Sequence, residues 1–352
     1  MTQTFREDIE LPFRIGSKST ASMSGGRAQN HLIFEKLHAT HSFHEMNRPL
    51  NAARLHETIC QTGLSGDLHA RLWVPDAMPV RGCVIIVHGL GEHGQRYRDV
   101  AAQLAKQGWA SFAADLVGHG HSPGRRGHIP SYQKLLQDIH AMRRSARQCL
   151  VELGHAPTTP QVILGHSMGG NLAVNYVLRR REFEQSIEDC TGLILSAPMF
   201  LPTNAPSRHQ IFAAWLTGFL IPWLTVRAPV DTTKLTRNPD TASKLREDPL
   251  MHGRISVYLA TQLLAQGRYA LDNAGQIDLP TMVMHGEEDP ITSYRASESF
   301  ALRAGEHVHF ASFPDMLHEI FHETESTIVF ETLTRWLDDL VAPKLHRYEP
   351  EA

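Results

Sequence analysis

The chain has 352 residues, of which 42% are apolar, enough for one large core or one core with an inserted subdomain. Its formal net charge of −3 provides no strong field that would favour nucleic acid. The four cysteines, Cys60, Cys83, Cys149 and Cys190, lie far apart without a C-x-x-C pair, so we expect no disulfide framework. No apolar segment of signal-peptide length opens the chain and none is long enough to span a bilayer, so we expect a cytoplasmic protein.

Residues 1–50 are polar, with scattered glycine, serine and histidine and no sustained period, and we place an N-terminal arm at residues 1–60. Four histidines, His31, His38, His41 and His44, cluster there. No cysteine or closely spaced acidic set completes a metal site around them, so we expect none in the arm.

From about residue 66 onward, strands and helices alternate. Their predicted order is strand 67–75, strand 83–89, helix 96–107, strand 109–116, helix 131–153, strand 161–167, helix 169–180, strand 192–198, strand 281–289, helix 293–304, strand 307–314 and helix 324–341. This alternation predicts an α/β fold with a mostly parallel central sheet flanked by helices. We place the two parts of the core at 61–199 and 276–342, followed by a tail at 343–352.

Residues 200–275 interrupt the alternation with several prolines and three or four helical pieces, which indicates an inserted helical cap. Its segment 211–224 has 14 residues and is strongly apolar, so it must be buried, cover the pocket mouth or contact lipid. Trp215 and Trp223 suit a water–lipid interface. We therefore expect a partly exposed cap that contacts micelles or membranes reversibly, so the protein could also be peripheral at a membrane; an ordinary buried cap helix is the alternative.

The segment GHSMG at 165–169 matches the G-x-S-x-G pattern of a serine nucleophile. The pattern alone is weak, but here an apolar strand precedes it and a helix follows it. A sharp strand-to-helix turn needs small flanking residues, lifts the serine hydroxyl above the sheet and directs the helix N-terminus towards it. Ser167 is therefore the predicted nucleophile, and the Met168 N–H a predicted oxyanion donor.

A serine nucleophile needs a base, and the base needs an acid to orient it. In this architecture the acid and then the histidine follow the serine, each after the carboxyl end of a strand. The strand at 281–285 ends in HGEEDPIT, and Asp289, just before Pro290, lies in the loop that follows it. We predict Asp289 as the acid, in preference to the earlier Glu287 and Glu288.

The base is predicted from the last strand, 307–314. His318 lies in the loop that follows it, whereas His307 and His309 lie within the strand and His322 lies a helical turn beyond. We therefore predict His318 as the base.

The same histidine opens H-E-I-F-H at 318–322, which alone is a zinc-protease signature. No third ligand follows at the metzincin spacing, and one imidazole cannot serve both zinc and Ser167. We reject a metalloprotease, expect no metal or other cofactor, and interpret Glu319 and His322 as residues of a loop or helix start near the site.

The loop HGLGEH at 88–93 follows a buried strand and is expected to supply the second oxyanion donor. Gly89 and Gly91 let the backbone approach the reacting carbonyl, and the Leu90 N–H is the predicted donor.

Six motifs form a specific set between about residues 66 and 341: HGLGEHGQRY (88–97), DLVGHGHSPGRRGH (115–128), LGHSMGG (164–170), LTRNPDTASKLREDPL (235–250), HGEEDPIT (285–292) and DMLHEIFHE (315–323). Together they resemble the monoacylglycerol lipases and related lysophospholipases of the α/β-hydrolase fold. The resemblance implies a Ser167–Asp289–His318 triad that cleaves the acyl ester of single-chain lipids through an acyl-enzyme. It also implies that Glu92 and Arg96 lie near the end of the pocket that takes the glycerol moiety.

Other activities of the α/β-hydrolase fold are alternatives to acyl-ester hydrolysis of single-chain lipids. Epoxide hydrolases and dehalogenases carry an aspartate where Ser167 stands, and a catalytically dead binding protein would lack a triad member. A general carboxylesterase, a thioesterase or a serine peptidase remains an alternative. We expect a small lipid or ester as the partner and no nucleic acid; the oligomeric state stays open.

Overall fold

The computed structural model describes residues 53–62, 66–76, 79–183, 190–229 and 231–342. The histidine cluster of the predicted arm and the tail at 343–352 lie outside these residues. The strands are β1 (Ala53–Cys60), β2 (Leu68–Pro75), β3 (Gly82–Val87), β4 (Trp109–Ala114), β5 (Gln161–His166), β6 (Cys190–Ser196), β7 (Thr225–Arg227), β8 (Arg254–Ser256), β9 (Thr281–Gly286) and β10 (Val308–Phe313). The helices are α1 (Arg98–Ala105), α2 (Tyr132–Glu152), α3 (Met168–Leu178), α4 (Arg208–Leu220), α5 (Pro239–Glu247), α6 (Val257–Asp272), α7 (Tyr294–Ala304) and α8 (Ser326–Val341).

Eight strands form one sheet in the order β1-β2-β4-β3-β5-β6-β9-β10. The pairs β1–β2 and β2–β4 are antiparallel and all other pairs are parallel. Alternate residues of β3 point to opposite faces, so Ile85 packs with α2 and α3 whereas Ile86 packs with α1 and α8. The predicted α/β-hydrolase fold, with helices on both faces of a mostly parallel sheet, is confirmed.

The boundary of the predicted arm at residue 60 is wrong, because Ala53–Cys60 pair with β2 along their whole length as an edge strand. The side chains that this strand buries include His56, Thr58 and Cys60, whereas Ile59 is exposed. An apolar alternation is therefore not visible in the sequence, and the core begins no later than residue 53.

Residues 200–275, the predicted cap, contain α4, α5, α6 and the two-stranded antiparallel ribbon β7–β8, which the sequence did not predict. Helix α4 packs on α6, where Gly218 lies against the backbone of Tyr258. Helix α6 lies close to the core, since a Cβ on Gly267 would come within 1.9 Å of the Phe200 carbonyl oxygen. No helix in the described part of the chain is long and apolar enough to cross a membrane.

The parallel strands bring the predicted functional residues to one edge of the sheet. The chain leaves β3 into residues 88–93, β5 into Ser167, β9 into Asp289 and β10 into His318. Carboxyl ends of parallel strands share an edge, and the crevice there is the usual ligand site of α/β folds.

Candidate active site

Ser167 occupies a sharp turn between β5 and α3. Its φ of 53° and ψ of −116° lie in a region that non-glycine residues rarely adopt. The turn is held by its own backbone, since the Ser167 N–H donates to the Ser196 carbonyl at 3.0 Å and its carbonyl accepts from the Met199 N–H at 2.9 Å. The serine is thereby presented at the N-terminus of α3, where the helix dipole favours negative charge.

The glycines of the G-x-S-x-G pattern are required by close backbone packing. A Cβ on Gly165 would lie 2.4 Å from the Gly169 oxygen, and a Cβ on Gly169 would lie 1.9 Å from the Val87 oxygen. The start of α3 therefore contacts both its own strand and the end of β3, from which residues 88–93 depart. Two segments that carry predicted oxyanion donors are packed against each other without side chains between them.

The structure brings two of the predicted triad residues into direct contact. His318 Nδ1 lies 2.7 Å from Asp289 Oδ2, and both residues are buried. His318 and Ser167 line the same cavity. The rivals Glu287, Glu288, His307 and His309 are exposed, whereas Asp289 and His318 are buried and in contact with each other.

Asp289 has further partners that sequence reasoning missed. Its Oδ1 accepts the N–H groups of Ile291 and Thr292, and its Oδ2 lies 2.7 Å from the Thr292 hydroxyl and 3.0 Å from His285 Nε2. The D-P-I-T sequence is the available signal, because an aspartate often accepts backbone N–H groups two and three residues later. The sequence around His285 gives no such local signal. His285 lies within β9, and the turn that follows the strand brings the Asp289 carboxylate back to its ring.

Electrostatics favour an ionised acid beside a basic imidazole. Burial raises the pKa of Asp289, but His318 and the hydrogen bonds from His285 and His318 outweigh it and hold that pKa well below its usual range. Burial lowers the pKa of His318, but the Asp289 carboxylate outweighs it and leaves the pKa raised. In neighbouring His166, burial and His318 lower the pKa to about 4, so this ring is neutral near pH 7.

The oxyanion loop, residues 88–93, is fixed from several sides. The His88 ring contacts the Gly89 carbonyl at 2.8 Å and accepts the Leu116 N–H at 2.9 Å. The cap reaches the loop through the His252 N–H, which donates to the Gly91 carbonyl at 2.9 Å. Gly91 has a φ of 79°, and a Cβ there would meet the His252 oxygen at 2.2 Å, so both its conformation and its packing favour glycine.

Both predicted oxyanion donors, Leu90 and Met168, line the cavity together with Ser167. Met168 is the first residue of α3, so its N–H has no acceptor within the helix. In the oxyanion loop, Gly89 donates its N–H to Glu92, so that N–H is already used. This arrangement suits Leu90 and Met168 for the roles predicted from the sequence.

The His318 loop, residues 314–323, contains the H-E-I-F-H sequence, but not as one α-helix. His318 and Glu319 precede a short 3₁₀ helix at Ile320–His322. The Leu317 N–H donates to Glu323 at 2.9 Å, which braces the residue before His318. In the described ranges, no group of three or more His, Cys, Asp or Glu side chains is placed to hold a metal ion.

Glu92 and Arg96 line the cavity and bind each other. Arg96 also binds Glu319 at 2.5 Å, and Glu92 accepts a hydrogen bond from the Tyr97 hydroxyl at 2.9 Å. Burial raises the pKa of Glu92, but Arg96 outweighs it and lowers that pKa to about 2. Glu92 and Arg96, the two residues predicted to lie near the glycerol moiety, thus form a buried, ionised cluster together with Glu319.

The cavity has a volume of about 430 Å³, within the range of about 300–1,000 Å³ typical of small-molecule sites. Its wall is mostly apolar, and Leu235, Leu245, Met251 and Ile255 of the cap contribute to it. A mostly apolar wall that also includes Glu92, Arg96 and Ser167 suits a ligand that has both an apolar chain and a polar group.

Comparisons with known proteins agree with this geometry. A family model described as serine aminopeptidase, S33 matches residues 78–325. A monoacylglycerol lipase of Mycolicibacterium smegmatis is 30% identical over 268 residues, which cover 76% of this chain and 91% of that protein. An uncharacterized abhydrolase domain-containing protein of Dictyostelium discoideum is 30% identical over 276 residues, but the chain spans only 28% of that relative.

A crystal structure of the monoacylglycerol lipase of Paleococcus ferrophilus superposes with a TM-score of 0.66 at 28% identity, covering 78% of this chain and 99% of that one. The family match, the relatives and the fold are mutually consistent. The chain therefore belongs to the serine aminopeptidase S33 family of α/β-hydrolases and is a carboxylic ester hydrolase of the monoacylglycerol lipase type.

Proposed function

We propose that this enzyme cleaves the acyl ester of monoacylglycerols or similar single-chain lipids through an acyl-enzyme on Ser167. His318 takes the proton of the Ser167 hydroxyl as Oγ attacks the ester carbonyl, and Asp289 orients the imidazole and stabilises its positive charge. The N–H groups of Leu90 and Met168 stabilise the oxyanion. His318 then protonates the leaving alcohol, and a water molecule activated by His318 releases the fatty acid and restores Ser167.

One observation carries this proposal: Ser167 stands at a strained strand-to-helix turn in the same cavity as the buried His318–Asp289 pair. A strained nucleophile turn persists only when its surroundings hold it, and such turns are concentrated at active sites. The depressed pKa of Asp289 and the raised pKa of His318 agree with an acid that orients a base.

The substrate class is supported by the cavity and by the relatives. The cavity wall is mainly apolar, which suits an acyl chain, and the similar proteins of Mycolicibacterium smegmatis and Paleococcus ferrophilus are described as monoacylglycerol lipases. The name of the family, serine aminopeptidase, keeps peptidase activity as the alternative, together with carboxylesterase and thioesterase activity.

The experiment is an activity panel with the purified protein. It compares monoacylglycerols of increasing chain length with p-nitrophenyl esters, acyl thioesters and amino-acid amides. The proposal expects the highest kcat/KM with long-chain monoacylglycerols. A higher kcat/KM for amides would favour the peptidase, and equal rates on all esters would favour a general carboxylesterase.

We further propose that the cap contacts lipid surfaces reversibly through α4. Phe212, Trp215, Leu216, Phe219 and Leu220 are spaced by three or four residues and all are exposed, Phe219 by 73% and Leu220 by 61%. These exposures support the partly exposed cap over a buried cap helix. So large an exposed apolar face is typical of an interaction site.

The β7–β8 ribbon, whose first strand directly follows the apolar segment 211–224 in the chain, carries exposed arginines. Arg227 and Arg254 are exposed and stand opposite each other in the β7–β8 ribbon, and exposed Arg125 donates a hydrogen bond to Thr225 of the same ribbon. Arginines beside an apolar face favour binding to anionic lipid, by about 1 kcal/mol each near such a surface. Flotation with vesicles that contain anionic lipid tests this contact, and no flotation at low salt would contradict it.

A further inference from the structure

The Arg96 cluster, consisting of Glu92, Arg96 and Glu319, joins two catalytic loops that are distant in the sequence. Arg96 Nη1 binds Glu92 at the end of the oxyanion loop, and Arg96 Nη2 binds Glu319, the residue after His318, at 2.5 Å. All three side chains are more than nine-tenths buried. Arg96 contacts both carboxylates directly, so it connects the oxyanion loop with the His318 loop.

On the oxyanion side, Glu92 acts on the backbone. Its Oε1 accepts the N–H of Gly89 and, at 2.9 Å, the hydroxyl of Tyr97. The Gly89 N–H is adjacent in sequence to the Leu90 N–H, the proposed oxyanion donor. A carboxylate that holds the Gly89 N–H fixes the orientation of the following peptide group, so Glu92 acts through Leu90 and not only as part of a pocket wall.

On the histidine side, Glu319 is held by its side chain and its backbone. Its N–H donates to the Leu235 carbonyl at 2.8 Å, and its carboxylate contacts His322 Nδ1 at 3.3 Å as well as Arg96. Burial raises the pKa of Glu319, but Arg96 and His322 outweigh it and hold that pKa well below its usual range. Glu319 and His322 of the H-E-I-F-H sequence are thus used to anchor the loop that presents His318.

We infer that the Arg96 cluster is a positioning device that sets the distance between the oxyanion donor Leu90 and the base His318; this inference rests on the proposed function. Arg96 is suited to this task because its planar guanidinium binds two carboxylates in fixed directions, which a lysine cannot do. The alternative is that Glu92 and Arg96 act mainly by binding the glycerol of the substrate.

Comparing a p-nitrophenyl ester with a monoacylglycerol separates a positioning role from a glycerol-binding role. A p-nitrophenyl ester has no glycerol, so loss of a glycerol contact cannot affect its hydrolysis, whereas misplacement of Leu90 or His318 affects every ester. The variants are Glu319→Gln, Arg96→Gln and the double variant. Glutamine keeps the shape of glutamate and avoids the cavity of an alanine. In Glu319→Gln, Arg96 keeps Glu92 as its charged partner, whereas Arg96→Gln and the double variant both leave Glu92 without Arg96.

The inference expects Glu319→Gln to lower kcat on the p-nitrophenyl ester roughly ten- to a hundredfold, since a shift of about 1 Å can cost about a hundredfold. KM should change less than about threefold, and the double variant should lose no more than the worse single variant, because both break one connection. The pH profile should also move. Burial lowers the pKa of His318 while Asp289, Glu319 and Glu92 raise it, so Glu319→Gln should shift the acid limb to lower pH.

The matched control is Arg81→Gln, which breaks the Arg81–Asp338 ion pair of 2.7 Å at the amino end of β3. It should retain wild-type kcat and pH profile. Unchanged kcat for p-nitrophenyl ester hydrolysis in Glu319→Gln, or losses in the single variants that multiply in the double variant, would overturn the inference. So would a loss seen only as a higher KM for monoacylglycerol. Failure of the proposed function would appear differently, as ester hydrolysis by the wild type that does not depend on Ser167.

Discussion

Gly169→Ala tests whether the backbone contact between α3 and β3 sets the geometry of the oxyanion site. The added Cβ would lie 1.9 Å from the Val87 oxygen and 2.7 Å from the His88 oxygen. Real Cβ atoms stay beyond 3.0 Å, so the difference from 1.9 Å requires α3 and β3 to separate by at least about 1.1 Å. The groups it would meet are main-chain atoms of a central strand, so they cannot turn aside as a flexible side chain would.

The separation should damage both stability and catalysis. Overpacking of this kind costs about 1–3 kcal/mol of unfolding free energy. Met168 lies at the start of α3 and Leu90 shortly after β3, so the two proposed donors move apart. A misplacement of about 1 Å can lower kcat about a hundredfold. We therefore expect folded but weakly active protein at a temperature well below its transition.

The assay combines denaturant unfolding with the kcat for p-nitrophenyl ester hydrolysis. The matched control is Gly275→Ala, where the nearest atom to an added Cβ is the Arg303 oxygen at 3.6 Å and the backbone has no positive φ. Gly275→Ala should be close to wild type in both measurements. Wild-type kcat and stability in Gly169→Ala would refute the reasoning from backbone contact.

Three further predictions follow from the site and the cap. Burial lowers the pKa of His318 but Asp289 raises it above the ordinary 6.5, and only the neutral imidazole accepts a proton. The kcat/KM should therefore rise with pH through a midpoint above 6.5. Asp289→Asn should lower that midpoint and lower kcat roughly a thousandfold or more. A midpoint that does not change in Asp289→Asn would contradict the pairing of Asp289 with His318. Dialysis against EDTA should leave activity unchanged, and loss of activity restored by zinc would contradict the serine mechanism. The double variant Phe219→Ser/Leu220→Ser should hydrolyse long-chain monoacylglycerol more slowly and bind less to vesicles in flotation. Its rate on a short soluble ester should equal that of the wild type. Unchanged long-chain rates and flotation would refute a lipid contact.

Those parts of the site that depend on local sequence could be predicted. Strand ends and glycines are local signals, so GHSMG located the turn at Ser167, and the order of strands located Asp289 and His318 at the same edge. The edge strand β1 could not be predicted in this way. Its buried side chains include His56 and Thr58, which in sequence look like those of a polar segment.

Contacts between residues that are distant in the chain could not be predicted from the sequence either. Arg96 and Glu319 are 223 residues apart, and nothing near either residue indicates that they meet. The sequence suggested a glycerol contact for Arg96 by resemblance and a loop position for Glu319. Their pairing depends on how far the loops after β3 and β10 extend above the sheet, which is a property of the packed fold.

The central claim is that Ser167 is the nucleophile that carries the acyl group, and one measurement tests it most directly. Wild type and Ser167→Ala are compared for hydrolysis of a long-chain monoacylglycerol, and both are treated with a fluorophosphonate and mapped by peptide mass spectrometry. We expect labelling of the wild type at Ser167, no labelling of the variant, and a loss of turnover of roughly a thousandfold or more in a variant that unfolds like the wild type. Near wild-type turnover by folded Ser167→Ala, or labelling at another residue that abolishes activity, would contradict the claim.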